Sequence, residues 1–321
     1  MYRPVRIVAA CGLVLILFNS SLRADESPAQ AKAAAPHWSS FITPQELHAR
    51  LQHPALLIID VRSPQEYAAG HIPGAINLPG VDWRTPPAAP GSGKVGQQIF
   101  RRPDGSVDVP RYEKFLGEAG LKQDHEVVIY GNHAGKADGS LPAALLLKLG
   151  HKNVAFLDGV GLDQWKKADY EVATKRTKLA ATTYKASADP KRLWSYDDVK
   201  KNLNNPDIVI LDSRTPEEFA GKDLRGNKHG GHIPGARLLN SDDFIEKSSL
   251  LTIVPELARQ KVESILPDKD KTVVIYCQSG TRCSLKELVL KDLGYKNVVL
   301  YDASWQEWGN KENAPIEKDA K

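Results

Sequence analysis

Short apolar runs rich in β-branched residues alternate along this chain with longer segments of helical period. Residues 55–60, 127–130, 207–212 and 273–276 are apolar runs, the first and third closed by Asp60 and Asp212 and the third opened by Asp207, the pattern of strands buried on both faces of a parallel sheet. Residues 281–293 read differently. Leu285, Leu288, Val289 and Leu293 fall near one helical face, and Gly294 stands where a C-terminal cap belongs, so the spacing predicts a helix there. Strand–helix–strand alternation of this kind predicts an α/β sandwich with a largely parallel sheet.

The pattern occurs twice. At a fixed offset of 152, Leu51/Leu203, Pro54/Pro206, Ile58/Ile210, Asp60/Asp212, Arg62/Arg214, Pro64/Pro216 and Glu66/Glu218 are identical. Gly-His-Ile-Pro-Gly-Ala stands at 70–75 and again at 231–236, and Val-Val-Ile-Tyr at 127–130 and 273–276. Order is preserved throughout, which identifies a duplication. Drift in the offset locates insertions. From His71 to Tyr130 is 59 residues against 44 from His232 to Tyr276, an excess that coincides with the Pro-, Gly- and Ser-rich stretch 83–105, expected to be a surface excursion. The second copy carries nine extra residues around 221–230. Residues 174–190, polar and without period, read as an interdomain linker.

The two copies differ after their matched strands. In the second, Tyr276 leads into Cys277-Gln278-Ser279-Gly280-Thr281-Arg282 and directly into the predicted helix. Open α/β sheets place ligands between a strand's carboxyl end and a helix's amino end. There, backbone N–H groups and the helix dipole favour negative charge, so Cys277 is expected to be substantially thiolate. In the first copy Gly131 stands in the place of the cysteine, and that copy has no thiol. His133 nearby reads as an exposed loop residue rather than a base. Asp60/Arg62 and Asp212/Arg214, present in both copies, read as structural turn-fixing pairs, and His71 and His232 are read in the same way.

The paired Asp-x-Arg and Gly-His-Ile-Pro-Gly-Ala strings, the Cys-x-x-Gly-x-Arg loop and the ending Tyr301-Asp302-Ala303-Ser304-Trp305-Gln306-Glu307-Trp308 resemble the tandem-domain rhodaneses, or thiosulfate sulfurtransferases. The resemblance spans Trp38 to Trp308. It implies two tandem rhodanese-like α/β domains, each a mostly parallel sheet flanked by helices: a non-catalytic one at 38–173 and a catalytic one at 191–310. It further implies that Cys277 becomes a persulfide, with Arg282, Gln278, Ser279, Gly280 and Thr281 holding the substrate and with no metal or organic cofactor. The six-residue Cys-x4-Arg loop is one shorter than the Cys-x5-Arg loop of cysteine phosphatases, which argues against phosphatase or arsenate chemistry. One departure stands out. Two-domain thiosulfate and mercaptopyruvate sulfurtransferases carry a substrate-binding arginine four residues beyond the Asp-x-Arg arginine, where this chain has Glu218. The expected consequence is that Arg282 and backbone N–H groups hold the donor, making thiosulfate the expected donor over mercaptopyruvate, with cyanide or a thiol as acceptor. A non-turnover sulfur carrier is the rival of a different class. Cys283, which the resemblance does not require, is expected to pack beneath the loop with its thiol turned away from Cys277. A Cys277–Cys283 bridge is the alternative.

Composition narrows the setting. The 321 residues suit two domains, and 41 % hydrophobic with 26 % charged residues is ordinary for a folded chain. Arg3 and Arg6 precede an apolar run at 7–18, and Leu22 and Ala24 fit a cleavage site. Twelve residues rise about 18 Å as a helix, short of the ~30 Å hydrocarbon core. Residues 1–24 therefore read as a secretory signal peptide, with an uncleaved anchor as the alternative. The expected mature protein is exported, periplasmic, monomeric and free of the membrane. Without Arg3, Arg6 and Arg23, 40 basic residues face 39 acidic ones, so the net charge of +4 gives no support for a nucleic-acid partner. Cys11 leaves with the signal, and Cys277 with Cys283 make neither a disulfide framework nor a four-ligand metal set.

Overall fold

The computed structural model describes residues 40–84, 99–100, 102, 106–131, 139–158, 161–187, 192–245 and 255–318. The signal-peptide segment, His133 and most of the 83–105 excursion lie outside the described residues. The first copy comprises β1 (Phe41–Ile42), α1 (Pro44–Ala49), β2 (Leu56–Asp60), α2 (Pro64–Ala69), β3 (Ile76–Asn77), α3 (Val109–Glu118), β4 (Glu126–Tyr130), α4 (Ser140–Lys148), β5 (Val154–Leu157) and α5 (Gly161–Lys167). The second comprises α6 (Tyr196–Lys201), β6 (Ile208–Asp212), α7 (Pro216–Phe219), β7 (Arg237–Leu238), α8 (Pro255–Glu263), β8 (Thr272–Tyr276), α9 (Thr281–Asp292), β9 (Val298–Leu300) and α10 (Ser304–Trp308).

All strand pairs are parallel, in the orders β1-β5-β4-β2-β3 and β7-β6-β8-β9. Register repeats with the sequence: Asp60 lies opposite Tyr130 and Asp212 opposite Tyr276. The counterpart of β1 in the second copy is reduced to one bridge, Leu193 to Leu300. Among the described residues, α1, α2, α6 and α7 each open on a capping box: Thr43 with Glu46, Ser63 with Glu66, Ser195 with Asp198, and Thr215 with Glu218. Each box satisfies backbone donors that the first helical turn leaves free.

The four strands expected from the sequence are present, and the helix predicted at 281–293 is α9, with Gly294 at φ +91° beyond its end. Its apolar stripe understates its burial. Cys283 to Leu290 are all buried, because α9 lies between its own sheet and α4 of the first copy. Polar partners cross that seam: Ser140 Oγ meets Ser284 Oγ at 2.8 Å, and Lys148 Nζ meets Glu287 Oε1 at 2.6 Å. Ser40 donates to the Asp292 carboxylate, at 2.9 Å from its N–H and 2.7 Å from its Oγ. The described part of the 174–190 segment is laid along the first copy. Thr182 N–H donates to Gly117 O and Ser187 N–H to Leu149 O, while Tyr184 is 2 % exposed in the core. Trp83, Ile99 and Phe100, at the ends of the 83–105 excursion, are buried core residues rather than surface.

Candidate active site

The loop after β8 rests on a lock present in both copies. Tyr276 Oη donates to Asp212 Oδ2 at 2.6 Å, and Arg214 reaches the same carboxylate through Nε at 3.0 Å and Nη2 at 2.6 Å. Arg214 Nη2 also donates to Gly231 O at 2.7 Å. In the first copy Tyr130, Asp60, Arg62 and Gly70 repeat these bonds. A buried arginine and aspartate paired in this way hold the strand ends and the Gly-His-Ile-Pro turn together. His71 and His232 stack on Tyr67 and Phe219 with ring centroids 3.8 and 3.7 Å apart. Both sets of residues have the structural role read from the sequence.

Cys277 is 1 % exposed at the start of the loop. Its N–H donates to Ser304 Oγ at 3.1 Å, and its carbonyl accepts from Trp305 N–H at 2.9 Å. Gln278 O accepts from Gln306 N–H at 2.9 Å, so α10 pins the first two loop residues. Gly280 turns the chain at φ +80°. Any Cβ there would come within 2.5 Å of Asp302 O, so this position requires glycine for two reasons. The turn brings the N–H groups of Ser279 and Cys283 toward the Cys277 sulfur.

Burial alone would raise the Cys277 pKa. The Cys283 thiol, the Arg282 charge and the Ser279 and Cys283 N–H groups outweigh it and bring the Cys277 thiol down to about 5. Cys283 moves the opposite way: burial, followed by the neighbouring Cys277 sulfur, raises its pKa well above the ordinary value. The Cys283 thiol has two acceptors within reach, the Cys277 sulfur and Gly280 O at 3.1 Å, and its single proton serves one of them at a time. This corrects the expectation that its thiol turns away from Cys277. Cys283 is the third residue of α9, in its first turn beneath the loop, where its side chain returns toward the preceding residues and comes within reach of the nucleophile. The two thiols are free, with no bridge between them.

The other expected substrate-binding residues divide. Ser279 Oγ and Thr281 Oγ1 lie 3.3 Å apart on the loop. The Gln278 amide instead pairs reciprocally with the Asn227 amide, at 3.2 Å in both directions. Asn227 belongs to the nine-residue insertion, which also bonds through His229 O to Trp305 Nε1 and through His229 N–H to Gly309 O. The insertion thus walls the loop, a role that its length in the sequence did not show. Arg282 donates Nη1 to Glu218 Oε2 at 2.7 Å and Nη2 to Glu218 Oε1 at 2.8 Å, a bidentate fork. Glu218 is 1 % exposed; burial opposes its ionisation, but Arg282 above all holds its pKa below the ordinary carboxylate value. The Arg282 carbonyl accepts from Ser241 Oγ at 3.0 Å. Lys286, one turn beyond Cys283, is buried, and its Nζ has no hydrogen-bond partner among the described residues. Burial lowers its pKa to about 7, opposed by Asp212, Cys283, Asp243 and Cys277. Among the described residues, no three His, Cys, Asp or Glu side chains are grouped to hold a metal, and no helix is long and apolar enough to cross a membrane.

A family model for the rhodanese-like domain matches this chain twice, at residues 43–168 and 195–311. The thiosulfate sulfurtransferase of Azotobacter vinelandii is 32 % identical over 278 residues, covering 86 % of this chain and 96 % of that protein. The thiosulfate sulfurtransferase of Pseudomonas aeruginosa is 31 % identical over 283 residues, covering 86 % and 96 %. Among solved structures, SseA from Escherichia coli, described as a 3-mercaptopyruvate sulfotransferase, superposes with a TM-score of 0.67 at 22 % identity, covering 83 % of this chain and 98 % of that one. That likeness shows the fold. Two matches in chain order, with relatives aligned along nearly their whole length, place this chain in the rhodanese-like family as a two-domain sulfurtransferase.

Proposed function

We propose that the enzyme takes the sulfane sulfur of thiosulfate onto Cys277 and passes it to a thiophilic acceptor such as cyanide or a thiol. The observation that carries this reading is a buried cysteine held as thiolate at the focus of a six-residue loop. The Cys277 thiolate attacks the outer sulfur of thiosulfate. The S–S bond of the donor breaks, sulfite leaves with its electron pair, and a Cys277 persulfide remains. Loop N–H groups stabilise the charge on the sulfur through the transfer. The acceptor then attacks the outer persulfide sulfur, forming thiocyanate or a new persulfide and returning the thiolate. Each step moves one sulfur and one electron pair, with no external oxidant. The names of the two thiosulfate sulfurtransferase relatives support the choice of donor.

The test is mass spectrometry after treatment with thiosulfate, which should add about 32 Da, one sulfur, to the Cys277 peptide. Steady-state thiocyanate production then separates an enzyme from a carrier, which would give one burst and stop. Absence of the mass gain would refute thiosulfate as donor. The proposal includes export through cleavage of the 1–24 segment and a monomeric mature protein. The N-terminal sequence of the secreted protein and sedimentation analysis test these two points.

A further inference from the structure

The Arg282 guanidinium is the loop's only fixed positive charge, and a carboxylate of the chain itself occupies its fork. The Glu218 side chain is 2 % exposed and that of Arg282 is 24 % exposed, so the pair lies at the edge of the buried site. Glu218 is anchored from behind as well. It is the closing residue of the α7 capping box, where its Oε2 accepts from Thr215 N–H at 3.1 Å and its own N–H donates to Thr215 Oγ1 at 3.3 Å. Arg225 Nε stands 3.9 Å from its Oε1. In the first copy Glu66 makes the same capping box with Ser63 but is exposed. The capping role therefore comes with the duplicated unit.

A guanidinium fork binds one carboxylate in bidentate fashion at a time. We infer that Glu218 is a specificity-determining residue: it fills the fork that a donor's carboxylate would need, leaving the site to small sulfane donors held by the loop's N–H groups and hydroxyls. This rests on the sulfurtransferase reading and specifies its donor class. Arg282 and Glu218 cancel in charge, and the other cations near the pair and the thiolate are Arg225, 3.9 Å from Glu218 Oε1, and the buried Lys286. A planar carboxylate such as that of 3-mercaptopyruvate pairs with a guanidinium through two oxygens and would have to displace Glu218 to do so. The sulfonate end of thiosulfate has three oxygens that neutral donors, including Ser279 and Thr281, can serve.

The experiment compares thiosulfate and 3-mercaptopyruvate on the wild type, Glu218→Gln and the double variant Glu218→Gln/Arg282→Met. Glutamine keeps an acceptor for the capping box and gives up the charge. Its preference for 3-mercaptopyruvate over thiosulfate, taken as a ratio of kcat/KM values, should rise at least about tenfold, the scale of one charge-assisted contact. The double variant should return toward the wild-type ratio. Acetate should compete with the donor in Glu218→Gln and not in the wild type. A folded single variant with an unchanged ratio and no sensitivity to acetate would overturn the inference. A measurement on the wild type needs no variant to fold: pyruvate protecting Cys277 from iodoacetamide as well as sulfite does would also overturn it. The mass gain from thiosulfate is followed in parallel. Its absence in the wild type alone refutes the donor reading and leaves Glu218 as a gate, whereas its presence with unchanged variants refutes only the role of Glu218. If neither protein gains sulfur from either donor, both fail.

Discussion

Replacing Cys283 with alanine tests the electrostatics of the nucleophile most directly. Among the interactions that lower the Cys277 pKa, the Cys283 thiol comes first, ahead of Arg282 and the loop N–H groups. A hydrogen bond to a charged group contributes about 1.5–3 kcal/mol net, and each pKa step is worth about 1.4 kcal/mol. Cys283→Ala should therefore raise the Cys277 pKa by about one to two, from about 5 to between about 6 and 7. The sign follows from charge: the thiol stabilises the thiolate, so losing it moves the acid limb toward higher pH. With a pKa of about 6.5, the thiolate fraction falls roughly eightfold at about pH 5.5 and only by about a tenth at about pH 7.5. Activity near neutrality is thus largely retained. The assay is the rate of iodoacetamide alkylation of Cys277 against pH, checked by thiolate absorbance near 240 nm. Cys283→Ser, which keeps a donor, should fall between alanine and the wild type. A Cys277 midpoint that moves by less than about half a pH step in a folded alanine variant would refute the reasoning.

Cys277→Ser should abolish sulfur transfer and the thiosulfate-dependent mass gain while leaving the melting temperature near that of the wild type. A wild-type rate would end the persulfide mechanism. Lys148→Met strands the buried Glu287 carboxylate at the seam and should cost about 3–5 kcal/mol in denaturant titration, most of it recovered in Lys148→Met/Glu287→Met. A cost below about 1 kcal/mol would show that the pair is solvated. Lys286 has a folded pKa of about 7, below its unfolded value near 10.5, so its burial costs stability below pH 10.5, and the cost reaches its full size below about pH 7. Lys286→Met should therefore raise the melting temperature more at pH 6 than at pH 10. An equal rise at both would refute the charge-burial account.

Much of this architecture was legible because duplication shows every signal twice. The strands, the register of Asp60 and Asp212, and the loop carrying Cys277 follow from local patterns that the fold did not override. The fate of each side chain in the loop did not. Cys-x-x-Gly-x-Arg marks Arg282 as present, but only tertiary packing shows that Glu218 fills its fork. A signal was there: Thr215-Pro216-Glu217-Glu218 is a capping-box sequence, and it fixes where that carboxylate sits. Asn227 had no comparable mark, since an insertion reveals its length and not the neighbour it meets. The burial of α9 on two sides exceeds what its apolar stripe predicts for a related reason. Its second face is buried by a helix more than 130 residues away in sequence, and periodicity reads only the nearer layer.

The seam between α4 and α9 also sets an order of events in synthesis. The first copy leaves the ribosome before its α4 has met α9, which follows more than 130 residues later in the chain. Until α9 arrives, Lys148 has no Glu287 and Ser140 no Ser284. A nascent chain stalled between the copies therefore exposes an apolar helix, the kind of surface that chaperones capture and that drives aggregation. The copy without a nucleophile thus supplies the surface against which the catalytic helix packs.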